Sequence, residues 1–261
     1  MSAAPLAGRN AVITGGARGI GAAITRALAH AGANVLACGR TEAALAEIGA
    51  SLQNIGVEVH TATCDVAAAD SVEMMAALAG VHLGHVDILV NNAGTAHSAP
   101  LHHQTLEDWE RLFAVNVTGT FLCTKAFAPA MAEQGWGRVI NIASIAARAG
   151  LPYVSAYGAT KHAVLGFTRC IAAEMANRGV TSNAICPGYV DTDMTTGTLD
   201  RIMSKTGMSR DEALASILQT TPQRRLIDPS EIASTAIMLC GEDARGINGQ
   251  AIGIDGGEFF G

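Results

Sequence analysis

Short apolar runs rich in β-branched residues alternate along the chain with longer stretches whose apolar positions recur every three or four residues. The runs are AVIT (11–14), NVLAC (34–38), VEVHTAT (57–63), VDILVN (86–91), RVINIAS (138–144), TSNAICP (181–187) and QAIGID (250–255). Several are apolar on both faces, as strands of a parallel sheet covered on both sides must be. The helical windows lie at 19–31, 41–54, 69–79, 107–133, 157–177 and 229–240. Strand and helix in alternation predict βαβ units. They imply an α/β fold with one doubly wound parallel sheet of about seven strands, right-handed crossovers and helices on both faces. No linker, repeat or low-complexity segment divides the chain, so residues 1–261 read as a single domain.

One interval departs from this rhythm. Residues 188–225 separate the sixth and seventh runs and are too long for a plain connection. They carry Met194, Ile202, Met203, Met208, Ile217 and Leu218. Ligands of doubly wound sheets sit beyond the carboxyl ends of the strands, so the interval is expected to form a lid there. A packed pair of surface helices is the other reading.

Composition narrows the class. Of 261 residues, 49% are hydrophobic and 15% charged, enough for a large buried core in one α/β unit. A net charge of −6 argues against nucleic acid or an anionic membrane surface as the main partner. The six cysteines form no C-x-x-C and no zinc spacing with histidine; they read as reduced apolar fillers, and no metal site is expected. The N-terminus lacks a basic stretch followed by an apolar run, and no window reaches the roughly 18 to 20 apolar residues of a membrane span. A cytoplasmic protein is the expectation.

The first run leads directly into GGARGIG. Gly15 would permit a sharp turn off the strand, Gly19 a close approach of backbone to a pyrophosphate, and Gly21 close packing of the following helix. Ile20 belongs to the same turn, and the helix N-terminus offers free N–H groups and partial positive charge to phosphates. The spacing is T-G-x-x-x-G-x-G from Thr14 to Gly21, not G-x-G-x-x-G. An acidic residue at the end of the second strand would accept both ribose hydroxyls and favour NAD. Gly39 stands there instead, followed by Arg40, and Arg18 lies within the glycine turn. Two guanidinium groups near a ribose 2′-phosphate favour NADP(H) over NAD(H). After the third strand, Asp65 could accept from an adenine amino group, with the Val66 N–H facing a ring nitrogen. Asn92, Ala93 and Gly94 end the fourth strand with side chains small enough for backbone to lie against the adenine-side ribose.

The stretch SAYGATKHAV places Tyr157 four residues before Lys161, on one helix face. An ammonium beside a phenol stabilises the phenolate and is expected to lower the tyrosine pKa from about 10. Such a phenol can give a proton to a carbonyl oxygen or take one from an alcohol. Ser144, at the end of the fifth strand, could hold the substrate oxygen toward it. Tyr153 is the rival phenol but has no lysine at that offset.

TGGARGIG, CDV, NNAG, NVTG, IASIAA, YGATK and CPGYVDT, in this order, resemble the motifs of the short-chain dehydrogenase/reductase family in its short single-domain branch. The likeness runs from Leu6–Gly8 to Asp255–Gly257, and no motif position departs from the pattern. It implies reversible hydride transfer between NADP(H) and a ketone/secondary alcohol pair, with Asn116, Ser144, Tyr157 and Lys161 as catalytic residues. Asn116 would help to hold a water that joins Lys161 to solvent. Lys161, with Tyr157 beside it, would hydrogen-bond the nicotinamide ribose. Pro187 and Gly188 would border the nicotinamide, and Val190 and Thr192 would contact its carboxamide. The resemblance also implies a homotetramer that pairs helices such as 107–133 and 157–177, and the last strand with helix 229–240.

The substrate is expected to be a small molecule, first a 3-oxoacyl or similar ketone. The alternative is an NAD(H)-dependent dehydrogenase of a cyclic or aryl secondary alcohol. A non-catalytic NADP(H) sensor would show a broken tetrad, which this sequence does not. Tyr153, His97, Tyr189 and Met194 are candidates for the substrate wall beside Ser144 and Tyr157. Arg201, Lys205, Arg210, Arg224 and Arg225 could meet an anionic carrier such as a coenzyme A thioester. Asp191, Asp193, Asp200, Asp211 and Glu212 offset them, which reads as a solvated charged face.

Overall fold

Each apolar run becomes a strand of one parallel sheet. In the computed structural model, which describes residues 4–259, these are β1 (Asn10–Thr14), β2 (Asn34–Gly39), β3 (Val59–Thr63), β4 (Ile88–Asn91), β5 (Gly137–Ile142), β6 (Val180–Pro187) and β7 (Ala251–Ile254). Their spatial order is β3-β2-β1-β4-β5-β6-β7, and every pairing is parallel. The order reverses between β1 and β4, so a crevice opens above their carboxyl ends.

The helices are α1 (Gly19–His30), α2 (Glu42–Ser51), α3 (Ala69–Leu83), α4 (Leu106–Phe113), α5 (Gly119–Gln134), α6 (Ser155–Met175), α7 (Asp193–Thr206), α8 (Arg210–Ile217) and α9 (Pro229–Cys240). Successive strand residues face opposite layers. Ile13, Val35 and Ile140 pack with Ile24 and Leu28 of α1, Ile48 of α2 and Ile232 of α9. Val12, Leu36 and Val139 pack with Met75 of α3 and Phe127 and Met131 of α5. On that second face α6 closes over Ala184 and Cys186 with Val164 and Leu165. A fully buried side chain such as Leu28 or Ile24 contributes about 1.5–3 kcal/mol.

Two segments differ from expectation. The window 107–133 is not one regular helix: a π-helical turn, Ala114–Thr118, joins α4 to α5. An extra residue in that turn shifts the two helical faces out of phase. The fifth strand ends at Ile142, so Ser144 lies beyond it, capping a 3₁₀ turn at Ile145–Ala147 with its hydroxyl accepting from Ala146 N–H at 3.1 Å.

The long interval 188–225 folds as α7 and α8, packed on each other through Leu199, Ala213, Ile217 and Leu218. α8 starts at a capping box in which the Ser209 hydroxyl accepts from Glu212 N–H and the Glu212 carboxylate accepts from Ser209 N–H. Asp228, Pro229 and Glu231 start α9 in the same way. Among the described residues no helix is long and apolar enough to cross a membrane, and no group of ligating side chains could hold a metal ion. The six cysteines are free, and all but Cys170 are buried.

Candidate active site

A cavity of about 570 Å³ lies over the carboxyl ends of β1, β4, β5 and β6. On one side it is lined by Gly15, Arg18, Gly19 and Ile20, with Asn92, Ala93 and Gly94 after β4. Opposite stand Ser144, Tyr157 and Lys161, and the end of β6 contributes Pro187, Gly188, Val190 and Thr192. Tyr153, Tyr189, His97 and Met194 complete the wall. Residues predicted from five separate motifs thus surround one space, while Asn116 does not line it. Arg40, Asp65 and Val66 do not line it; they follow β2 and β3, beyond the glycine turn.

Thr14, read in the sequence only as the start of the glycine motif, ties that turn to the end of β4. Its hydroxyl accepts from the N–H groups of Asn92 and Ala93, each at 3.0 Å, and donates to the Val90 carbonyl. The Asn92 amide donates to the carbonyls of Thr14 and Gly15, both at 3.0 Å. Gly15 has φ +61°, and a Cβ there would meet Asn92 Nδ2 at 2.9 Å. A Cβ at Gly21 would run into the Gly15 carbonyl, which is why α1 can follow so closely. Arg18, the N-cap of α1, makes no side-chain cap, and the first turn holds no acidic residue. The first amides of α1 therefore face the cavity without side-chain partners, the donor set a pyrophosphate requires.

The region expected to receive adenine is only half open. Asp65 Oδ1 accepts from Ala67 N–H at 3.0 Å, so one carboxylate oxygen serves its own turn. Val66 is buried against Gly119. Arg18 and Arg40 are exposed, and neither pairs with a carboxylate among the described residues. A Cβ on Gly39 would meet nothing within 4 Å, so the space beside Arg40 is open.

Asn116 sits in the π-turn, not in regular helix, and is 1% exposed. Its Oδ1 accepts from Thr95 N–H at 2.8 Å. Its Nδ2 donates to the Thr95 carbonyl at 2.9 Å and to Thr160 Oγ1 at 3.0 Å. Thr160 in turn donates to the Tyr157 carbonyl at 2.7 Å. The Asn116 side chain thus fastens the loop after β4 to the helix that carries Tyr157 and Lys161. Neither threonine was visible as a site residue in sequence. Below them a buried chain runs from Thr124 and Asn91 to Asn141 and Thr168, joining α5, β4, β5 and α6.

Tyr157 and Lys161 share one face of α6, with Lys161 Nζ 5.7 Å from the Tyr157 ring centre. The expected lowering of the phenol pKa is absent. Burial raises the Tyr157 pKa above its usual value, and the neighbouring Ser144 hydroxyl offsets this only in part. The physical reason is the lysine's direction: its ammonium donates to the Ile142 carbonyl at 2.8 Å instead of facing the phenol oxygen. Lys161 is itself 6% exposed, and burial pulls its pKa down from 10.5 to about 8. The phenol is therefore held protonated and the ammonium loosely so. A phenol so held can donate a proton, and the neighbouring amine can exchange protons near neutral pH.

The family model for short chain dehydrogenases matches residues 9–202. The chain is a short-chain dehydrogenase/reductase. Members are oxidoreductases acting on CH–OH groups, typically with a nicotinamide dinucleotide. Among its curated relatives, this dehydrogenase/reductase is 38% identical over 255 residues to a D-β-hydroxybutyrate dehydrogenase of Cupriavidus necator, covering 97% of this chain and 98% of the other. It is also 38% identical to a 3-oxoacyl-(acyl-carrier-protein) reductase of Synechocystis, with 95% of each chain covered. A variant of the actinorhodin polyketide ketoreductase, crystallised with NADPH, superposes with a TM-score of 0.92 at 36% identity, covering 96% of this chain and 97% of that one.

Proposed function

We propose that this short-chain dehydrogenase/reductase interconverts a ketone and a secondary alcohol with NADP(H), and that its substrate is a 3-oxoacyl compound or a similar ketone. The observation that carries this reading is the convergence of Ser144, Tyr157 and Lys161 on the cavity that the glycine turn also lines. When bound, the dinucleotide supplies or removes hydride at the substrate carbon. The chain's own residues do the rest. Ser144 and Tyr157 hold the substrate oxygen, and Tyr157, kept protonated by burial, gives its proton to that oxygen in reduction. Lys161 exchanges a proton with Tyr157 and donates toward a ribose, while Asn116 holds α6 in register with the loop after β4. A water beside Asn116 would link Lys161 to solvent. Developing negative charge meets the Ser144 hydroxyl, the phenol and the ammonium, so no metal is required in this proposal. Oxidation releases a proton and is favoured as pH rises.

The preference for NADP(H) is supported by Arg18 and Arg40, both exposed, and by the open space at Gly39 where an acidic residue would favour NAD. Asp65 and Val66 would receive the adenine, and Pro187, Gly188, Val190 and Thr192 the nicotinamide. α7, carrying Met194, would act as the lid, with Tyr153 and Tyr189 on the facing wall. The likeness to a polyketide ketoreductase crystallised with NADPH supports both the ketone and the cofactor. We also infer a cytoplasmic homotetramer that joins through α4–α5, α6, α9 and β7.

The test is a screen of acyclic 3-oxo compounds and cyclic ketones and alcohols, with NADPH and NADH in both directions, followed by absorbance of the reduced nicotinamide. Faster turnover of the acyclic 3-oxo compounds with NADPH is the expected result. No turnover with any pair, or a consistent preference for NADH, would overturn the reading.

A further inference from the structure

Arg201 stands apart from the other cations of 188–225. Lys205, Arg210, Arg224 and Arg225 are exposed. Arg225 pairs with Glu231 at 2.6 Å, and Arg224 donates to the Leu218 carbonyl at 3.3 Å. Arg201 is half-buried and lines the catalytic cavity. With Met194, Thr198 and Ile202 it forms the cavity stripe of α7, at the spacing of one helical face.

The guanidinium is incompletely satisfied. Its Nη2 donates to Thr198 Oγ1 at 3.2 Å, and that hydroxyl donates to the Met194 carbonyl at 3.1 Å. Its Nε is buried and has no acceptor. No carboxylate lies within ion-pair distance of Arg201 among the described residues. The acidic residue of the cavity wall, Asp193, is exposed at the other end of the stripe, eight residues and about 12 Å away along the helix axis. Buried donors in folded proteins are nearly always paired, and a planar guanidinium fits a two-oxygen anion. An oxygen of a ligand in the cavity would supply an acceptor to this guanidinium.

We infer that Arg201 is a specificity-determining residue whose guanidinium binds an anionic oxygen group at the end of the substrate remote from the carbonyl. That group is either the carboxylate of a free 3-oxo acid or a phosphate of a carrier arm. The inference rests on the ketone-reducing reading above. It replaces the solvated charged face expected from sequence with one cation facing inward and four facing water.

The experiment compares the full-length enzyme with Arg201→Gln and Arg201→Lys on three ketones: acetoacetate, its neutral methyl ester and acetoacetyl-coenzyme A. Arg201→Gln should lower kcat/KM by about tenfold to a hundredfold for an anionic substrate, mostly through KM. Arg201→Lys should recover part of that loss, and the methyl ester should be unchanged within about twofold. A loss confined to acetoacetate assigns the carboxylate; a loss confined to the thioester assigns the carrier phosphate. Equal kinetics of wild type and variant on all three, or an equal loss on the neutral ester, would overturn the inference. If the wild type reduces none of the three, the ketone reading fails by itself. Calorimetric binding of 3-hydroxybutyrate and of 3-hydroxybutyryl-coenzyme A to the NADP⁺-loaded enzyme then judges Arg201. Binding of either ligand weakened in Arg201→Gln supports the role, and no binding, or binding equal in both proteins, refutes it.

Discussion

Lys161 carries a cost in the cofactor-free protein that can be measured. Its ammonium is buried, with a single hydrogen bond to the Ile142 carbonyl, and its pKa falls from 10.5 to about 8. Each pH unit corresponds to about 1.4 kcal/mol, so the protonated folded state is disfavoured by about 3 kcal/mol at pH 7. The sign follows from proton binding. Between about pH 8 and 10.5 the unfolded chain holds this proton and the folded chain does not, so stability rises with pH across that window. Below about pH 8 both forms are protonated and the full cost is present. Lys161→Met keeps the length and removes the charge, but leaves the Ile142 carbonyl unpaired at about 1–1.5 kcal/mol. The variant should therefore be more stable than wild type by about 2 kcal/mol at pH 7. At pH 9.5 the remaining cost of the lysine is about 1.4 kcal/mol, which the lost hydrogen bond cancels. Urea denaturation of both proteins at equal concentration, without cofactor, at pH 7 and 9.5, reads this directly. Using the difference between the two proteins cancels the titration of tyrosines and cysteines common to both. A gap that is the same at both pH values, or a wild type more stable at pH 7, would refute the electrostatic reasoning. The variant should also lose turnover, an example of stability exchanged for activity.

Other substitutions test the site and its frame. Tyr157→Phe should lower kcat by about a hundredfold to ten-thousandfold in steady-state assays while NADPH affinity, read by fluorescence titration, stays near wild type; near-normal turnover would remove Tyr157 as proton donor. Arg40→Asp should weaken NADPH binding by about tenfold or more and leave NADH binding little changed or tighter; a parallel loss for both cofactors would count against a 2′-phosphate contact. Gly21→Ala, which places a methyl group against the Gly15 carbonyl, should cost about 1–3 kcal/mol in denaturation and weaken cofactor binding. Gly39→Ala, with nothing within 4 Å, is its control and should leave the denaturation midpoint nearly unchanged.

Most strands were legible because their residues are apolar on both faces, and alternation with helices implied one parallel sheet; the order of its strands was legible only in the structure. Gly15 and Ser144 were legible because they follow the ends of strands β1 and β5, and Tyr157 because Lys161 stands one helical turn beyond it. The π-turn was not. The window 107–133 keeps an apolar rhythm through AVNVTG, and one extra residue per turn leaves no compositional mark there. The direction of the Lys161 ammonium was hidden for a different reason. An i, i+4 relation says which face two side chains share, but the acceptor that turned this lysine, the Ile142 carbonyl, lies on another element. The same limit applied to the charges of 188–225. Their sum pointed to a solvated surface, and only the packing of α7 separates Arg201 from its neighbours. Thr95 and Thr160 escaped because nothing distinguishes them from surface threonines until Asn116 is seen between them.

The π-turn at Ala114–Thr118 makes one continuous rod serve two neighbours: α4 lies against α6, whereas α5 lies against α3 and the sheet. This phase offset is a rule for recombination. A chimera that exchanges 106–134 with a relative as one block carries the offset along, and both halves arrive facing their partners. A crossover inside the block that joins this chain to one with a regular helix would rotate the upstream half by about 100°, the angle of one helical residue. Asn116 would then leave Thr95, and α4 would turn its contact face away from the helix that carries Tyr157. Deleting one residue to restore regular winding would have the same effect. Gene-shuffling libraries built on this scaffold should therefore place their breakpoints before 106 or after 134.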